Sequence, residues 1–406
     1  MSGALRNMLN NSQPQQISLF ETLENRGTTE RERERVNGFD HPYNSIISVQ
    51  NLLVSWQEFL RGKRKRRDVA EFSVHLMDHI LQLHQELQEG TYRHGGYQAF
   101  KLNDPKPRHI HKASVRDRLV HHAVYRMLYP YFDRKFIFDS YSCRNTKGTH
   151  RAIRRFASMA RAVSHNHTRT CWVLQCDIRK FFASIDHTVL IDMLKQHIPD
   201  QRIMRLLENI IGSFQTFPGK GLPSTTLYSS LSHVPRSLAL NRFPAYQSLG
   251  NKAVLGLPLG NLTSQLFVNV YMDRFDQFMK RELKVKHYIR YADDFVMVSE
   301  DKDYLSSLLP AIKTFLNQQV HLTLHRGKVS LRTVASGVDF LGWITFPHHR
   351  VLRTTTKRGM FRRLEEHLTP ETVQSYLGLL HHGNGYSLQQ EVVRLNSFSR
   401  DNGLDR

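Results

Sequence analysis

Two adjacent carboxylates, Asp293 and Asp294, sit between apolar runs in Tyr288-Ile289-Arg290-Tyr291-Ala292-Asp293-Asp294-Phe295-Val296-Met297-Val298. The β-branched and aromatic residues on each side suit strands, which places the pair at the tip of a tight hairpin. Neighbouring acids repel each other, and a divalent cation is one reason to keep them together. An ordinary solvated turn is the other reading. Magnesium takes oxygen ligands, usually one or two carboxylates plus substrate phosphates. Val173-Leu174-Gln175-Cys176-Asp177 is an apolar strand that ends in another acid, and Asp186 follows. A carboxylate ending a buried strand is a natural third ligand, although a helix cap or a plain strand end has the same sequence. Three such groups can hold two metal ions about 4 Å apart, an arrangement suited to in-line displacement.

The elements that must position these acids are written around them. Residues 45–60 predict a helix with Leu52, Leu53, Trp56, Phe59 and Leu60 on its apolar face. A basic run, Gly62-Lys63-Arg64-Lys65-Arg66-Arg67, is either a solvated loop or a phosphate-backbone contact. Residues 68–89 predict one amphipathic helix with Phe72, Leu76, Ile80, Leu83 and Leu87 along one face, ended by Gly90. Residues 97–110 alternate as a hairpin does, with Asp104-Pro105-Lys106-Pro107 at its turn. Further helices are predicted over 115–128, 148–163, 189–198, 203–211, 263–283, 304–317, 360–368 and 373–380, with a loop from 132 to about 148. Residues 1–40 are polar, with sign-alternating Arg31-Glu32-Arg33-Glu34-Arg35, and predict a mobile tail with a short helix near 17–23.

The 406 residues are enough for a large core and more than one domain. The formal charge of +21 favours a polyanionic partner, although ribosome-associated and membrane-surface proteins share such basicity. No apolar run approaches the roughly 20 residues that span a bilayer, and the start of the chain lacks the apolar core of a signal peptide. Cys143, Cys171 and Cys176 have no metal-site spacing, which predicts reduced thiols and a cytoplasmic protein without a membrane partner. The 23 histidines are scattered and give no zinc pattern.

Tyr291-Ala292-Asp293-Asp294 resembles the Tyr-x-Asp-Asp box of reverse transcriptases, and Asp177-Ile178-Arg179-Lys180-Phe181-Phe182 resembles their first catalytic motif. Gly256-Leu257-Pro258-Leu259-Gly260-Asn261-Leu262-Thr263-Ser264-Gln265 resembles their nucleotide-pocket loop. With Leu259 before the glycine and Gln265 after Ser264, the loop is most similar to that of diversity-generating retroelement enzymes. Group II intron and retroviral enzymes typically carry Gln and Pro at those places. The resemblance runs in motif order from about residue 45 to 386. It leaves out the first forty residues and an insertion at 214–253, which is rich in Ser, Leu and Tyr and opens with Gly219-Lys220-Gly221-Leu222-Pro223.

The resemblance implies roles residue by residue. Asp177, Asp293 and Asp294 would be catalytic and, with Ile178, would hold two Mg²⁺ ions, Mn²⁺ being able to substitute. Lys101 and Arg108 match the basic finger residues that grip the incoming triphosphate. Arginine suits phosphate through its planar fork, yet cations on a hairpin surface are ordinary. Phe182 matches the aromatic that stacks under the deoxyribose and excludes a 2′-hydroxyl, while one of Phe181 and Phe182 is expected to be core. Leu259, Gly260 and Gln265 would border the nascent base pair, with Leu259 weakening discrimination. Lys328, in Leu322-Thr323-Leu324-His325-Arg326-Gly327-Lys328, matches a lysine proposed to protonate pyrophosphate, a surface lysine being the alternative. Arg116 and Arg118 would touch template or else pair internally with Asp117 or another acid. Gly342 and Trp343, in Val338-Asp339-Phe340-Leu341-Gly342-Trp343, match the primer grip; Lys357, Arg358, Arg362 and Arg363 would face the duplex.

The implied fold class is α+β: a right-hand polymerase fold with fingers, an antiparallel-sheet palm and a short helical thumb. The expected divisions are a tail (1–40), N-terminal helices and fingers (41–165), palm (166–345) and thumb (346–406). No nuclease or ribonuclease H constellation follows the thumb pattern. The implied function is RNA-templated DNA synthesis by two-metal nucleotidyl transfer, error-prone at template adenines. The partners would be an RNA template, a primer or cDNA strand, dNTPs and a small basic accessory protein. An antiviral-defence or retron-type reverse transcriptase is the nearest rival, and a non-catalytic RNA-binding protein with a polymerase fold is the more distant one.

Overall fold

The computed structural model describes residues 38–102, 108–216 and 254–401. The expectations for the tail, for the turn at 104–107 and for most of the 214–253 insertion fall outside those residues.

The described residues begin with four helices: α1 (Tyr43–Ile47), α2 (Val49–Phe59), α3 (Arg67–Val74) and α4 (Leu76–Gln88). Each of the first two helices predicted from periodicity is therefore two. Ser48 is extended at ψ 143° and its hydroxyl accepts the Asn51 N–H, capping α2 where a continuous helix was expected. His75 leaves the helical region at φ −114°, ψ 39°, and separates α3 from α4. The apolar period runs through both breaks, so periodicity alone could not show them. An antiparallel ribbon follows, β1 (Tyr97–Leu102) and β2 (Arg108–Ala113). Then α5 (Val115–Lys135) runs 21 residues, a turn and more past the predicted end and over Pro130. Proline removes one ladder hydrogen bond there, while buried Leu128, Tyr129 and Phe132 keep this part packed.

After α6 (Thr149–Val163) come β3 (Trp172–Asp177), the single turn α7 (Phe181–Ser184), α8 (His187–Lys195) and α9 (Gln201–Gly212). The helix predicted at 263–283 is α10 (Leu262–Gln277), with a π-helical last turn over Phe278–Glu282. It leads to β4 (Tyr288–Tyr291), β5 (Asp294–Ser299), α11 (Lys302–Gln319) and β6 (Ser330–Thr333). A small sheet follows, β7 (Val338–Phe340), β8 (Trp343–Thr345) and β9 (Arg350–Leu352). The chain then enters α12 (Thr354–Glu366), α13 (Pro370–Leu380) and α14 (Tyr386–Asp401), the last of these unforeseen. The class is α+β as expected. Among the described residues, no helix is long and apolar enough to cross a membrane.

The organising element is the antiparallel sheet in the order β4-β5-β3-β6. Strand alternation sends successive side chains to opposite faces. Leu174, Cys176, Tyr288, Phe295 and Met297 enter one core, which α10 and α11 complete. Val173, Ile289, Val296 and Val298 enter a second, completed by α6, the small sheet and the C-terminal helices. Both faces of the sheet are therefore filled.

Candidate active site

The register of the sheet brings the acids together. Asp177, the last residue of β3, pairs with Asp294, the first of β5, and Asp293 stands in the turn beside them. The Ile178 N–H donates to the Asp293 carbonyl at 3.1 Å, tying the end of β3 to that turn. Ala292 is left-handed at φ +56°, a conformation that costs an ordinary residue about 1–2 kcal/mol. Arg290 holds it in place: one guanidinium nitrogen donates to the Ala292 carbonyl at 3.1 Å. The rest of that side chain is fully buried against Asp276, with contacts of 2.7–3.0 Å. It also donates to the Ser140 hydroxyl at 3.0 Å, while the Tyr288 hydroxyl donates to Asp276 at 2.7 Å. A paired and fully hydrogen-bonded buried charge makes a rigid floor, and losing either partner would strand the other.

Electrostatics make this end of the sheet a natural cation site. Burial pushes the Asp294 carboxyl up to about 7; a hydrogen bond from the Gln175 amide at 3.2 Å opposes the rise, and Asp177, Asp293 and Asp339 add to it. Asp293 is raised by burial first and Asp177 second, against Lys328 and Arg108. Carboxylates held near one another in a dry place call for positive charge. Lys328 supplies some, its Nζ lying 2.8 Å from Asp177 Oδ2. The segment before it is laid against β3 by backbone bonds from Arg179 to Thr323 and from His325 to Asp177. Among the described residues, no three His, Cys, Asp or Glu side chains converge as an ion-ligating cluster. The hard oxygen donors of Asp177, Asp293 and Asp294 fit Mg²⁺ chemically, and Asp177 faces Lys328. Asp186 lies apart: it caps α8 and pairs with His321 at 2.9 Å.

The other predicted residues group around this end or away from it. Lys101 and Arg108 occupy the open end of the β1–β2 ribbon, opposite His109 and Leu102, and both are exposed. Arg108 is near enough to favour the charged form of Asp293. Strand β2 also holds the pocket loop: the His111 N–H donates to the Leu259 carbonyl at 3.0 Å, and the Asn261 amide donates to the His111 carbonyl at 3.2 Å. Gly260 has φ +115°, and a Cβ there would lie 3.0 Å from Ile110 Cγ2, so the close approach needs glycine. Leu259 and Gln265 are half-buried. Phe181 is core, while Phe182 is half-buried and holds the same loop through its carbonyl, which accepts the Leu257 N–H at 2.8 Å.

Arg116 and Arg118 are engaged internally, Arg116 with Glu86 and Asp117 and Arg118 with Asp68. Gly342 forms the β7–β8 turn together with Leu341, both at positive φ, the type I′ pattern that suits a two-residue hairpin. Its carbonyl accepts the Arg353 N–H at 3.0 Å, and Trp343 is buried in the second core. Lys357, Arg358 and Arg362 are exposed on α12. Sequence reading missed the Arg290–Asp276 floor. Its only signal was a lone arginine inside an otherwise apolar strand.

Residues 101–345 match the family described as reverse transcriptase (RNA-dependent DNA polymerase). The chain is 24% identical over 281 residues to Protein YkfC of Escherichia coli (strain K12), an alignment covering 61% of this chain and 64% of that protein. It is 22% identical over 301 residues to the Group II intron-encoded protein LtrA of Lactococcus lactis subsp. cremoris, covering 65% and 49% respectively. The chain thus spans roughly half to two thirds of the length of these relatives. Among solved structures, apo telomerase from Candida tropicalis is similar with a TM-score of 0.41 at 10% identity, over 63% of this chain and 48% of that one.

Proposed function

The chain belongs to the reverse transcriptase family, and we propose that it extends a primer along an RNA template with dNTPs by nucleotidyl transfer. The observation that carries this reading is the pairing of Asp177 with Asp294, beside Asp293, at the end of the sheet where Lys328 and Arg108 also bear. In this reading residues 41–165 form the fingers region, 166–345 the palm and 346–406 the thumb.

Asp177, Asp293 and Asp294, with Ile178 beside them, would hold two Mg²⁺ ions. Bound metal would supply charge neutralisation and activation of the attacking hydroxyl. This chain's own residues do the rest. The Arg290 floor keeps the acids in place before substrate arrives, so little reorganisation is needed during reaction. Arg108 and Lys101 offer forked and point charges to the triphosphate. Lys328 keeps a proton at Nζ beside Asp177, close to where pyrophosphate would leave. Phe182 bars the 2′-hydroxyl, and Leu259 packs against the nascent pair without offering a hydrogen bond. The finer reading is error-prone copying in a diversity-generating retroelement, supported by Leu259 and Gln265 and extending to a small basic accessory protein.

Primer extension on an RNA template, with and without Mg²⁺, tests the core of this. Metal-dependent extension with dNTPs is expected, and its absence from a folded protein would refute the activity. A template repeat and a variable repeat beside the gene would test the finer reading.

A further inference from the structure

The strongest unassigned feature lies on the outer face of α6. His150, Arg154, Ser158 and Arg161 follow the helical repeat, so they share one side. Arg154, Ser158 and Arg161 are exposed and His150 is half-buried. At about 1.5 Å per residue this side is roughly 16 Å long. The β8–β9 hairpin forms the facing wall. At its far end is a cavity of about 570 Å³, lined among others by Arg161, His167, Thr345 and His348 and by no acid. At its near end the His150 and His382 rings stack at 3.5 Å.

The chemistry of this groove is one-sided. Arg154 bears on Arg350, and both bear on His150 and His382. Among the described residues neither Arg154 nor Arg350 forms an ion pair with an acid. Burial and this crowding lower the Arg350 and His150 pKa values below their ordinary levels. The Thr345 hydroxyl and His150 Nδ1 are buried with no protein partner. His165, Asn166 and His167 are three successive left-handed residues, a costly arrangement that sets His167 edge-on to His348 at 5.1 Å. Cations that crowd one another, unpaired donors and flat rings at both ends suit a chain of phosphates with bases to stack. The near end also adjoins the catalytic hairpin, since the Thr149 hydroxyl donates to the Tyr291 hydroxyl at 3.1 Å.

We propose that the outer face of α6 and the β8–β9 hairpin form a track for one strand of nucleic acid leading away from the catalytic hairpin. The proposal rests on the polymerase reading for its partner, and its cations Arg154, Arg161 and Arg350 are separate from the residues the family resemblance implicates. A groove of this length accommodates several phosphates at the ~3.4 Å rise per nucleotide of a strand.

The test is anisotropy binding of the full chain, without Mg²⁺ or dNTPs, to an unstructured 12-nucleotide RNA, its DNA equivalent and a duplex. The variant is Arg154→Ala, Arg161→Ala and Arg350→Ala combined. A control removes as much charge at exposed Arg281, Lys286 and Lys302, also as alanines. For the track variant, affinity for single strands should fall at least about tenfold. The slope of log affinity against log salt should become shallower by about 2, from roughly 0.7 per phosphate contact. Equal loss for RNA and DNA assigns either strand, and loss for RNA alone assigns the template. An unchanged slope, an equal loss in the control, or a loss confined to duplex would overturn the track. Matching circular dichroism and melting establish that the variants fold. Primer extension by the unaltered chain is scored separately, so the polymerase reading and the track can fail independently.

Discussion

Two hairpins in this molecule have opposite charge and opposite burial. β4–β5 carries acids and lies in a sheet with a core on each face. β1–β2 carries cations and stands as a two-stranded ribbon in which Tyr97 is the only buried residue of β1. A lone two-stranded hairpin is marginal in water, and this one is anchored at its base, where Tyr97 and Ala113 pack with Phe214. Under the proposed function, the difference follows from what each charge would do. Acids held against their own repulsion need a support that does not yield, and the Arg290–Asp276 floor gives it. Cations that would meet an arriving triphosphate need reach, and the exposed ribbon end gives that.

Breaking the acid side should have the largest effect. Asp177→Asn or Asp293→Asn should lower primer extension on the order of a thousandfold, the upper range for one preorganised charged group. Thermal melting should stay near that of the parent chain. Robust extension by either purified variant would remove these residues from catalysis. Next is the floor. Arg290→Ala strands Asp276 in the interior and should cost about 3–5 kcal/mol in denaturant unfolding. Arg290→Lys should cost less, because charge survives though the fork is lost. A parental midpoint for Arg290→Ala would mean that the hairpin of Asp293 and Asp294 is held by other contacts.

The cation side should respond in kinetics alone. Arg108→Ala should raise the KM for dNTPs by roughly tenfold or more, the scale of a lost charge-assisted contact, with no change in melting. Lys101→Ala should do the same more weakly. A drop in stability would show that the ribbon is structural. The smallest effects belong to Phe182 and the loop that carries Leu259. Phe182→Ala should admit ribonucleotides, and unchanged preference in an active enzyme would end its role as a gate. Leu259→Gln should lower misincorporation up to about tenfold, since one well-placed hydrogen bond is worth about 1 kcal/mol or somewhat more. Equal error spectra in sequenced cDNA would reduce Leu259 to packing.

Much of the acid side was legible in the sequence because strands of period 2 and a paired acid are local signals. Asp177 and Asp294 needed only the sheet register to pair, with Asp293 in the turn beside them. What stayed hidden depends on partners far along the chain. Arg290 reads as a stray charge until Asp276 is placed beneath it. Trp343 stands out in the sequence only through the primer-grip resemblance, and its burial in the second core depends on residues far along the chain. Arg116 and Arg118 stay open in the sequence between template and internal acids, and only the fold, which sets Glu86 of α4 and Asp68 of α3 beside them, shows which acids they meet. The breaks at Ser48 and His75 were invisible for the opposite reason, since the apolar spacing continues unchanged across them.

The sheet with two cores also governs when this site can exist during synthesis. Gln175 meets Asp294 across 119 residues, Lys328 meets Asp177 across 151, and Gln175 meets the Asp339 carbonyl across 164. Such distant pairings carry a loop-closure cost and slow folding. At ~5–20 residues per second a ribosome needs many seconds to bring β6 and β7 out after β3. Until β5 emerges, β3 waits with apolar residues for both cores and no neighbour, and until β6 emerges one of its edges stays bare. The nascent chain's most exposed moment therefore falls on the strand that carries Asp177. A holding chaperone should raise the yield of active protein, and slower translation between residues 177 and 330 should lower it.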